Sequence, residues 1–313
     1  MTDGRIVELP AEVLDDVASV VGAEVTLLCR LPGGVNGGAV HVQLAGRATA
    51  VLKAVPRAHP DHLDETLRAQ RVVKHMRRRG YPTPAWLGVG ATATYVWHLM
   101  DYVDAAPAPE LTPLLIDQVM DIVELQAGQA SEPYDHWSYA WRVATGAASA
   151  DAGLDFNETP EQSLLGQSVA RLSGYSSEVS ALVDRLRLVS ADVPPPGEAP
   201  DMVHADLSTP SNVLVRDGVV VAVVDIGNAG SGTRAIDLTT LVWATFQDPL
   251  LDDVRRRLWT RNLDLVGWEA AAVLAAAQIL HMLEIPMRHG RHDVVPGRVK
   301  RGHRALDELS ALR

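Results

Sequence analysis

The apolar pattern of the chain changes at the proline-rich stretch APAPE, residues 106–110, and this change limits the possible folds. Before it, short segments of β-branched and aliphatic residues alternate with glycine-bearing turns, as in a small antiparallel sheet. After it, apolar residues recur mainly at helical spacing. The pattern predicts an α+β protein with an N-terminal lobe over residues 1–103, ending in a hinge, and a larger, mainly helical lobe over residues 104–313.

The elements are predicted from apolar periodicity and from Gly and Pro positions. In the first lobe, we predict helices at 9–21 and 61–79 and strands at 25–31, 39–44, 48–55 and 95–103. In the second lobe, we predict helices near 111–129, 160–190, 235–246, 250–262 and 267–285. Two aliphatic segments flank Asp217-Gly218, which predicts a β-hairpin inside the helical lobe. The basic stretch 288–304 is predicted to be a solvated helix or tail.

The charge balance argues against polyanionic partners. Lys and Arg number 28 and Asp and Glu number 39, so the net charge is −11 with neutral His. This charge opposes sequence-independent binding to nucleic acid or to an anionic membrane. The single cysteine, Cys29, cannot form an internal disulfide, and the acidic start has no apolar signal core. We therefore expect a cytoplasmic protein with neither a nucleic-acid nor a membrane partner.

The most informative motif is His204-Ala205-Asp206, followed after five residues by Asn212. The aliphatic segment 219–224 then ends in Asp225, so the predicted hairpin returns a second carboxylate toward the first motif. Two carboxylates and one amide are thereby expected to converge. Taken singly, Asp206 could cap a turn and Asp225 could end a strand, but the ordered set favours a chemical role.

This grouping suits phosphoryl transfer. The reaction needs a carboxylate that receives or orients the hydroxyl of the nucleophile, and Asp206 fits that role. It also needs oxygen ligands that hold Mg²⁺ on the phosphates. Asn212 and Asp225 fit this second role, because Mg²⁺ prefers hard oxygen donors.

The same segments resemble those of the aminoglycoside phosphotransferase family. HADLSTPSN resembles the family's catalytic loop, in which Gly more often occupies the place of Ala205. DIGNAGSG is similar to its metal-binding loop, and RAIDLTTL resembles the following helix start with Asp237. The resemblance implies a bilobal protein-kinase-like fold, with a small antiparallel-sheet N-lobe and a larger helical C-lobe.

By position, the resemblance makes Asp206 the catalytic base, Asn212 and Asp225 the Mg²⁺ ligands, and His204 a structural orienting residue. It also implies a nucleoside triphosphate as the phosphoryl donor. The donor could be ATP or GTP, because side chains at the predicted hinge do not distinguish the two nucleotides.

The first lobe would supply the nucleotide site. Gly33, Gly34 and Asn36 resemble the family's phosphate loop, although a Gly-rich hairpin alone could be a simple turn. Lys53, flanked by apolar residues in AVLKAV, would face the α and β phosphates rather than solvent.

Two further assignments complete that lobe. The usual helix carboxylate that pairs with the lysine is absent at the expected place, near residues 69–70, and Glu65, one turn earlier, is the candidate substitute. Asp101 and Val103 lie at the predicted strand-to-hinge connection and would offer backbone groups to the base.

An acceptor site is predicted from the aromatic cluster that contains Trp137 and Tyr139 and from the acids Asp151 and Asp155. Aromatic faces and carboxylates suit a polyamine. The alternative is that the aromatic residues pack the helical lobe while the acids are solvated.

These residues support three candidate functions. The first is an ATP-dependent O-phosphotransferase that modifies a hydroxyl of a small cationic antibiotic, such as an aminoglycoside, and confers resistance. The second keeps the chemistry but takes another acceptor: a cyclic peptide antibiotic, a macrolide, a sugar, choline or an amino alcohol. The third is a catalytically silent nucleotide-binding scaffold.

Overall fold

The computed structural model describes residues 9–31, 39–132, 134–147 and 168–313. Its strands are, in chain order, β1 (Val25–Arg30), β2 (Ala39–Leu44), β3 (Thr49–Pro56), β4 (Trp86–Ala91), β5 (Tyr95–Asp101), β6 (Ala106–Pro107), β7 (Asp201–Val203), β8 (Val213–Arg216), β9 (Val219–Val223) and β10 (Gly230–Gly232). Its α-helices are α1 (Ala11–Val21), α2 (His62–Arg77), α3 (Pro113–Glu124), α4 (His136–Thr145), α5 (Ser168–Ser173), α6 (Ser177–Ser190), α7 (Ala235–Thr245), α8 (Asp252–Arg288) and α9 (Val295–Ser310).

Contacts divide the chain into two compact units. The first unit comprises Met1–Pro109 and Pro210–Asn228, and the second comprises Glu110–Thr209 and Ala229–Arg313. The segment 210–228, which the sequence pattern assigned to the helical lobe, thus belongs with the N-terminal residues. The reason is backbone pairing: β8 pairs with β6, and the Val223 N–H donates to the Pro82 carbonyl at 2.6 Å.

The first unit is built on an antiparallel sheet with the strand order β1-β2-β3-β5-β4. Along strand β2, AVHVQL, buried and partly buried residues alternate, as expected for a strand with one face in the core. Val40, Val42 and Leu44 lie on the buried face. Helix α1 packs on that face through Val13 and Val17. The opposite face of the sheet therefore carries the polar residues of these strands, including Lys53 of β3.

The predicted hairpin at Asp217-Gly218 joins β8 to β9. Both residues have positive φ, 51° for Asp217 and 77° for Gly218, as a two-residue hairpin turn of type I′ requires. The ladder runs from Val213 opposite Val223 to Arg216 opposite Val219. The turn chemistry therefore fixed this element locally, and its pairing with β6 fixed its place in the first unit.

The second unit is mainly helical, with one small ladder in which β7 and β10 pair antiparallel. The predicted α+β class, with an antiparallel-sheet N-terminal part and a helical C-terminal part, is confirmed. Of the helix predicted at 160–190, residues 160–167 lie outside the described residues, and the rest forms α5 and α6, separated by residues 174–176. The helices predicted at 250–262 and 267–285 are recorded as α8, which is interrupted at Gly267 by non-helical angles (φ 76°, ψ 174°).

Segment Pro249–Arg288, which contains α8, is long and apolar enough to cross a membrane by length and composition. However, 67% of its most apolar window is buried inside the protein. A core helix satisfies the same length and composition criteria.

Several elements differ from the sequence expectations, among them the short strands β6, β7 and β10, which the apolar pattern did not predict. Strand β4 was missed because glycines at 88 and 90 lower its β-propensity. Helix α4 was missed because its aromatic residues were interpreted as a substrate wall. The C-terminal basic stretch, predicted to be a solvated helix or tail, contributes to helix α9, which is not fully solvated: it buries an apolar face that includes Val299 and Leu306, because these residues recur at helical spacing among the charges.

Gly90 provides a test of the sheet packing. A Cβ at this position would lie 2.5 Å from Cζ2 of the fully buried Trp97, whose indole N–H donates to Asp16 Oδ2 at 2.7 Å. We predict that Gly90→Ala destabilises the protein by about 1–3 kcal/mol, as overpacking of a core does. The control is Gly297→Ala, where a Cβ meets open space. Equal thermal unfolding midpoints for the two variants would contradict this packing.

Candidate active site

Lys53 and Asp225 form an ion pair within the first unit. The Lys53 ammonium donates to Asp225 Oδ1, and the two side chains are 22% and 40% exposed. Lys53 points from the middle of β3, and Asp225 follows β9, so two elements far apart in sequence bring the charges together. Lys53 thus faces a carboxylate rather than bulk solvent, and its contact with the α and β phosphates stays a prediction. Since both groups remain partly exposed, they are accessible to a ligand.

His98 is a neighbour of this pair that the sequence did not reveal. It lies directly opposite Lys53 in the β3–β5 ladder, and its ring stacks on Trp86 with centroids 4.1 Å apart. Burial, and secondarily the positive charge of Lys53, lowers the pKa of His98 to about 3, while Asp225 acts in the opposite direction. His98 is therefore neutral near pH 7 and adds no positive charge beside Lys53.

Asn212 and Asp225 lie on backbone segments that are bonded to each other. The Asn212 carbonyl accepts from the Val224 N–H at 2.9 Å, so the residue preceding Asp225 is fixed to Asn212. Asn212 is buried in a short 3₁₀ turn, Pro210–Asn212, and Asp225 has a positive φ of 62°. Asp tolerates this backbone conformation better than most residues do. An amide and a carboxylate oxygen, the donors that Mg²⁺ prefers, are thus held on adjacent segments.

The predicted pairing of Lys53 with Glu65 is not what the structure forms. Glu65 Oε2 lies 3.3 Å from His59 Nε2, whereas the carboxylate on Lys53 is that of Asp225. Burial raises the pKa of Glu65, although the charge of His59 opposes the rise. The one-turn offset of Glu65 from the expected position places it near the start of α2, beside the residues that lead into the helix. No ion pair joins Lys53 to Glu65 among the residues that the structure describes.

Asp101 and Val103 lie at the end of β5 and just after it, and their roles at the base stay predictions. Asp101 ends β5, and its N–H donates to the Ala85 carbonyl at 2.9 Å. The Val103 carbonyl accepts from the Ala105 N–H at 2.8 Å. Between them, the Tyr102 ring stacks on His41 of β2 with a centroid separation of 4.0 Å. The connection is therefore held on both sides of Tyr102. Gly33, Gly34 and Asn36 lie outside the described residues.

In the second unit, helix α7 holds the loop that carries Asp206 through a buried acid, Asp237. Asp237 is fully buried and accepts from the His204 N–H at 2.8 Å and from the Ala205 N–H at 2.7 Å. Burial raises the pKa of Asp237, while these two bonds favour its charged form. One turn later, the Thr240 hydroxyl accepts from the Leu207 N–H at 3.2 Å. Residues at one-turn spacing on α7 therefore fix the loop on both sides of Asp206.

Asp206 is also bonded within its own loop. Its N–H donates to His204 Nδ1 at 3.3 Å, which supports the predicted orienting role of His204. Its Oδ1 accepts from the hydroxyls of Ser208 at 3.3 Å and Thr209 at 3.1 Å. The sequence analysis did not identify these two hydroxyls or Thr240. The run LSTPS, with its three hydroxyl residues between Asp206 and Asn212, was the signal that could have shown the first two.

The predicted acceptor residues are only partly described. Trp137 is buried in α4 and lines a cavity of about 370 Å³ together with Glu198, Asp201 and Arg234. Asp201, which lines this cavity, is the first residue of β7, whereas Asp206 comes after the last residue of the strand. The cavity and the loop that carries Asp206 therefore lie at opposite ends of β7. Tyr139 lies in the same helix, and Asp151 and Asp155 lie outside the described residues. Their acceptor roles stay predictions.

Comparison with known families gives one match that spans most of the chain. Residues 28–274 match the model of the phosphotransferase enzyme family, designated APH. This match confirms the predicted resemblance and the predicted enzyme class, a small-molecule phosphotransferase. Among curated proteins, none matches the chain in sequence.

Solved structures share the fold at low sequence identity. A thermostable mutant of aminoglycoside phosphotransferase APH(4)-Ia, in a ternary complex with ADP and hygromycin B, has a TM-score of 0.67 at 16% identity, covering 95% of this chain and 98% of its own. The macrolide 2′-phosphotransferase MphH from Brachybacterium faecium has a TM-score of 0.54 at 16% identity, with coverages of 92% and 97%. A protein named as a fructosamine-3-kinase from Haemophilus somnus scores 0.50 at 12% identity, with coverages of 93% and 96%. At these identities the likeness shows the fold.

Ala205 offers a test of the loop conformation. It has a φ of 70°, where an L-residue with a Cβ is strained and glycine is not. We predict that Ala205→Gly stabilises the protein by up to about 1 kcal/mol without loss of activity. The control is Ala181→Gly in the exposed interior of α6, which should destabilise by about 1 kcal/mol. Thermal unfolding measures both, and a lower midpoint for Ala205→Gly would contradict the positive φ.

Proposed function

Because this chain belongs to the phosphotransferase enzyme family, we propose that it transfers the γ-phosphoryl group of ATP or GTP to a hydroxyl of a small cationic molecule. An aminoglycoside antibiotic is the first acceptor to test, and modification of such a drug would confer resistance. The protein that carries out this reaction is proposed to be cytoplasmic.

The observation that carries this proposal is the ion pair between Lys53 and Asp225. A lysine in the middle of a strand and a carboxylate after a distant hairpin are brought together at a partly exposed site. In phosphoryl transfer, the Lys53 ammonium would contact phosphate oxygens, and the Asp225 carboxylate would help to hold a metal ion that offsets phosphate charge. Lys53 and Asp225 each satisfy the other's charge until the metal and nucleotide bind.

Asp206 is proposed as the catalytic base. It would orient the acceptor hydroxyl and receive its proton as the oxygen attacks the γ-phosphorus. A new phosphorus–oxygen bond forms to the acceptor, and the bond between the γ-phosphorus and the bridging oxygen breaks, so the nucleoside diphosphate leaves with that oxygen. The bonds from α7 to the backbone of residues 204, 205 and 207 would keep the carboxylate in place during this transfer.

Asn212 and Asp225 are proposed to hold Mg²⁺. The donor set fits, because an amide oxygen and a carboxylate oxygen are hard ligands on backbone segments that are bonded to each other. Bound Mg²⁺ would offset charge on the β and γ phosphates. In the part of the chain that the structure describes, no group of three or more His, Cys, Asp or Glu residues could hold a metal by itself. The site would therefore depend on phosphate oxygens and water for its remaining ligands.

The nucleotide would be held by backbone groups of the first unit. We propose the Asp101 carbonyl and the Val103 N–H for the base, because the other backbone groups of these two residues bond to Ala85 and Ala105. Gly33, Gly34 and Asn36 are proposed for the phosphates, on the sequence pattern alone.

The acceptor class rests on charge and on fold likeness. A net charge of −11 favours capture of a cation. The structure of APH(4)-Ia, which contains hygromycin B, shares the fold. Since MphH shares it as well, a macrolide is the leading alternative acceptor. Trp137, Tyr139, Asp151 and Asp155 remain the proposed acceptor contacts.

The experiment that tests the proposal follows nucleoside diphosphate release and acceptor mass together. The protein is incubated with Mg²⁺, with ATP or GTP, and with a panel that contains hygromycin B, other aminoglycosides, a macrolide, a cyclic peptide antibiotic, choline and a fructosamine. Acceptor-dependent release of ADP or GDP, with addition of one phosphoryl group to an aminoglycoside, is expected. Transfer only to an uncharged acceptor would overturn the cationic class, and no transfer to any acceptor would overturn the function.

Asp206→Asn tests the base. The substitution removes proton acceptance but no phosphate contact, so we predict that kcat falls by about 10²–10⁴-fold while the Kd for ATP changes little. The control is Asp253→Asn, which changes an exposed carboxylate of α8. Retention of most of the turnover in Asp206→Asn would exclude Asp206 as the base.

Asp225→Asn tests the metal ligand. The loss of one carboxylate from the metal site should weaken Mg²⁺-dependent nucleotide binding and transfer together, each by at least about 10-fold. A titration of activity and of ATP affinity against Mg²⁺ concentration measures both. An unchanged Mg²⁺ dependence would show that Asp225 serves Lys53 alone.

A further inference from the structure

The catalytic loop of this chain is one residue longer than the protein-kinase pattern. In that pattern, four residues separate the catalytic Asp from the metal-binding Asn. Here five residues, Leu207 to Ser211, separate Asp206 from Asn212. The longer spacing leaves room for hydroxyl residues between the two functional groups.

The first residue after Asp206 is held by helix α7. The Leu207 N–H donates to Thr240, and the Leu207 side chain is fully buried. At the other end, Pro210 begins the 3₁₀ turn that contains Asn212. The segment between these supports is Ser208-Thr209.

Both residues of that segment direct their hydroxyls at the proposed base. The Thr209 hydroxyl donates to Asp206 Oδ1 at 3.1 Å, and the Ser208 hydroxyl donates to the same oxygen at 3.3 Å. Two donors on one oxygen fix the plane of a carboxylate, because rotation about the Cβ–Cγ bond would break both bonds. Thr209, with the shorter bond and the β-branched side chain, loses less rotational freedom on holding this geometry than Ser208 does.

We propose that Thr209, assisted by Ser208, is a positioning residue that sets the orientation of the Asp206 carboxylate for proton acceptance. The inference rests on the proposed function of Asp206 as the base. Thr209 touches neither the nucleotide nor the acceptor in this role and acts through Asp206. A misplaced base is costly, since errors near 1 Å in the position of reacting groups lower rates by about 10²-fold.

A second role for the same hydroxyls has a different kinetic consequence. If they only occupied the place of the acceptor hydroxyl, the acceptor would have to displace them. Their removal would then lower the acceptor KM and leave kcat unchanged. If the hydroxyls instead position Asp206, their removal lowers kcat and changes the KM for ATP little.

The kinetic test compares Thr209→Val with Thr209→Ser, using the acceptor from the panel that the wild-type protein phosphorylates. We expect Thr209→Val to lower kcat by about 10- to 100-fold with the KM for ATP unchanged. We expect Thr209→Ser, which keeps the hydroxyl, to restore most of kcat. The matched control is Thr260→Val, which removes an exposed hydroxyl that donates to the Arg256 carbonyl within α8. Wild-type kcat in Thr209→Val, or a lower acceptor KM at unchanged kcat, would overturn the inference.

A second measurement does not depend on activity. Thr209→Val is made in the wild-type background and in Asp206→Ala, which has no carboxylate to hold, and the thermal unfolding midpoints are compared as a double-mutant cycle. Thr209→Val should lower the midpoint by about 2 °C in the first background and by less in the second. Additive shifts would overturn the contact. If the wild-type protein phosphorylates nothing in the panel, the proposed function fails, while this cycle still decides whether Thr209 holds Asp206.

Discussion

The loop that carries Asp206 is held by one buried acid, Asp237. A buried carboxyl group is unfavourable unless hydrogen bonds compensate for it, and here two backbone N–H groups of the loop donate to it. Those N–H groups belong to the buried His204 and the partly buried Ala205, and leaving them unpaired would also be costly. Each partner therefore requires the other, which makes the attachment of the loop to α7 specific. The positive φ of Ala205 is part of this arrangement, because it lets two successive N–H groups converge on one side chain.

In the first unit, the corresponding interaction is the ion pair between Lys53 and Asp225. Both side chains are partly exposed, so the pair adds little stability by itself, since exposed ion pairs contribute about 0–1 kcal/mol. Its value lies in placement. A neutral His98 beside Lys53 avoids a second positive charge, and the bond between Val224 and Asn212 fixes the backbone next to Asp225. A binding site of the proposed kind could use such a weak pair, because the two charges separate at little cost.

The sequence predicted those features that are encoded locally. The hairpin at Asp217-Gly218 was predictable because its turn needs residues that accept positive φ, and the alternation in β2 was predictable because one face is buried. The partner of Lys53 was harder to assign. Counting along α2 suggested Glu65, yet pairing depends on which carboxylate the tertiary fold brings near, and that was Asp225. Likewise, the unit to which residues 210–228 belong is decided by pairing with β6, a contact between residues about 100 apart in sequence.

The same distinction between local and tertiary information applies to the loop that carries Asp206. Its motif was evident because few residue types can perform the chemistry, whereas the extra residue in its spacing had no evident meaning in sequence. The structure supplies one within the second unit, since the Leu207 N–H donates to Thr240 of α7 and the two residues that follow direct their hydroxyls at Asp206. Ser208 and Thr209 belong to this longer spacing, and their hydrogen bonds constrain the orientation of the Asp206 carboxylate.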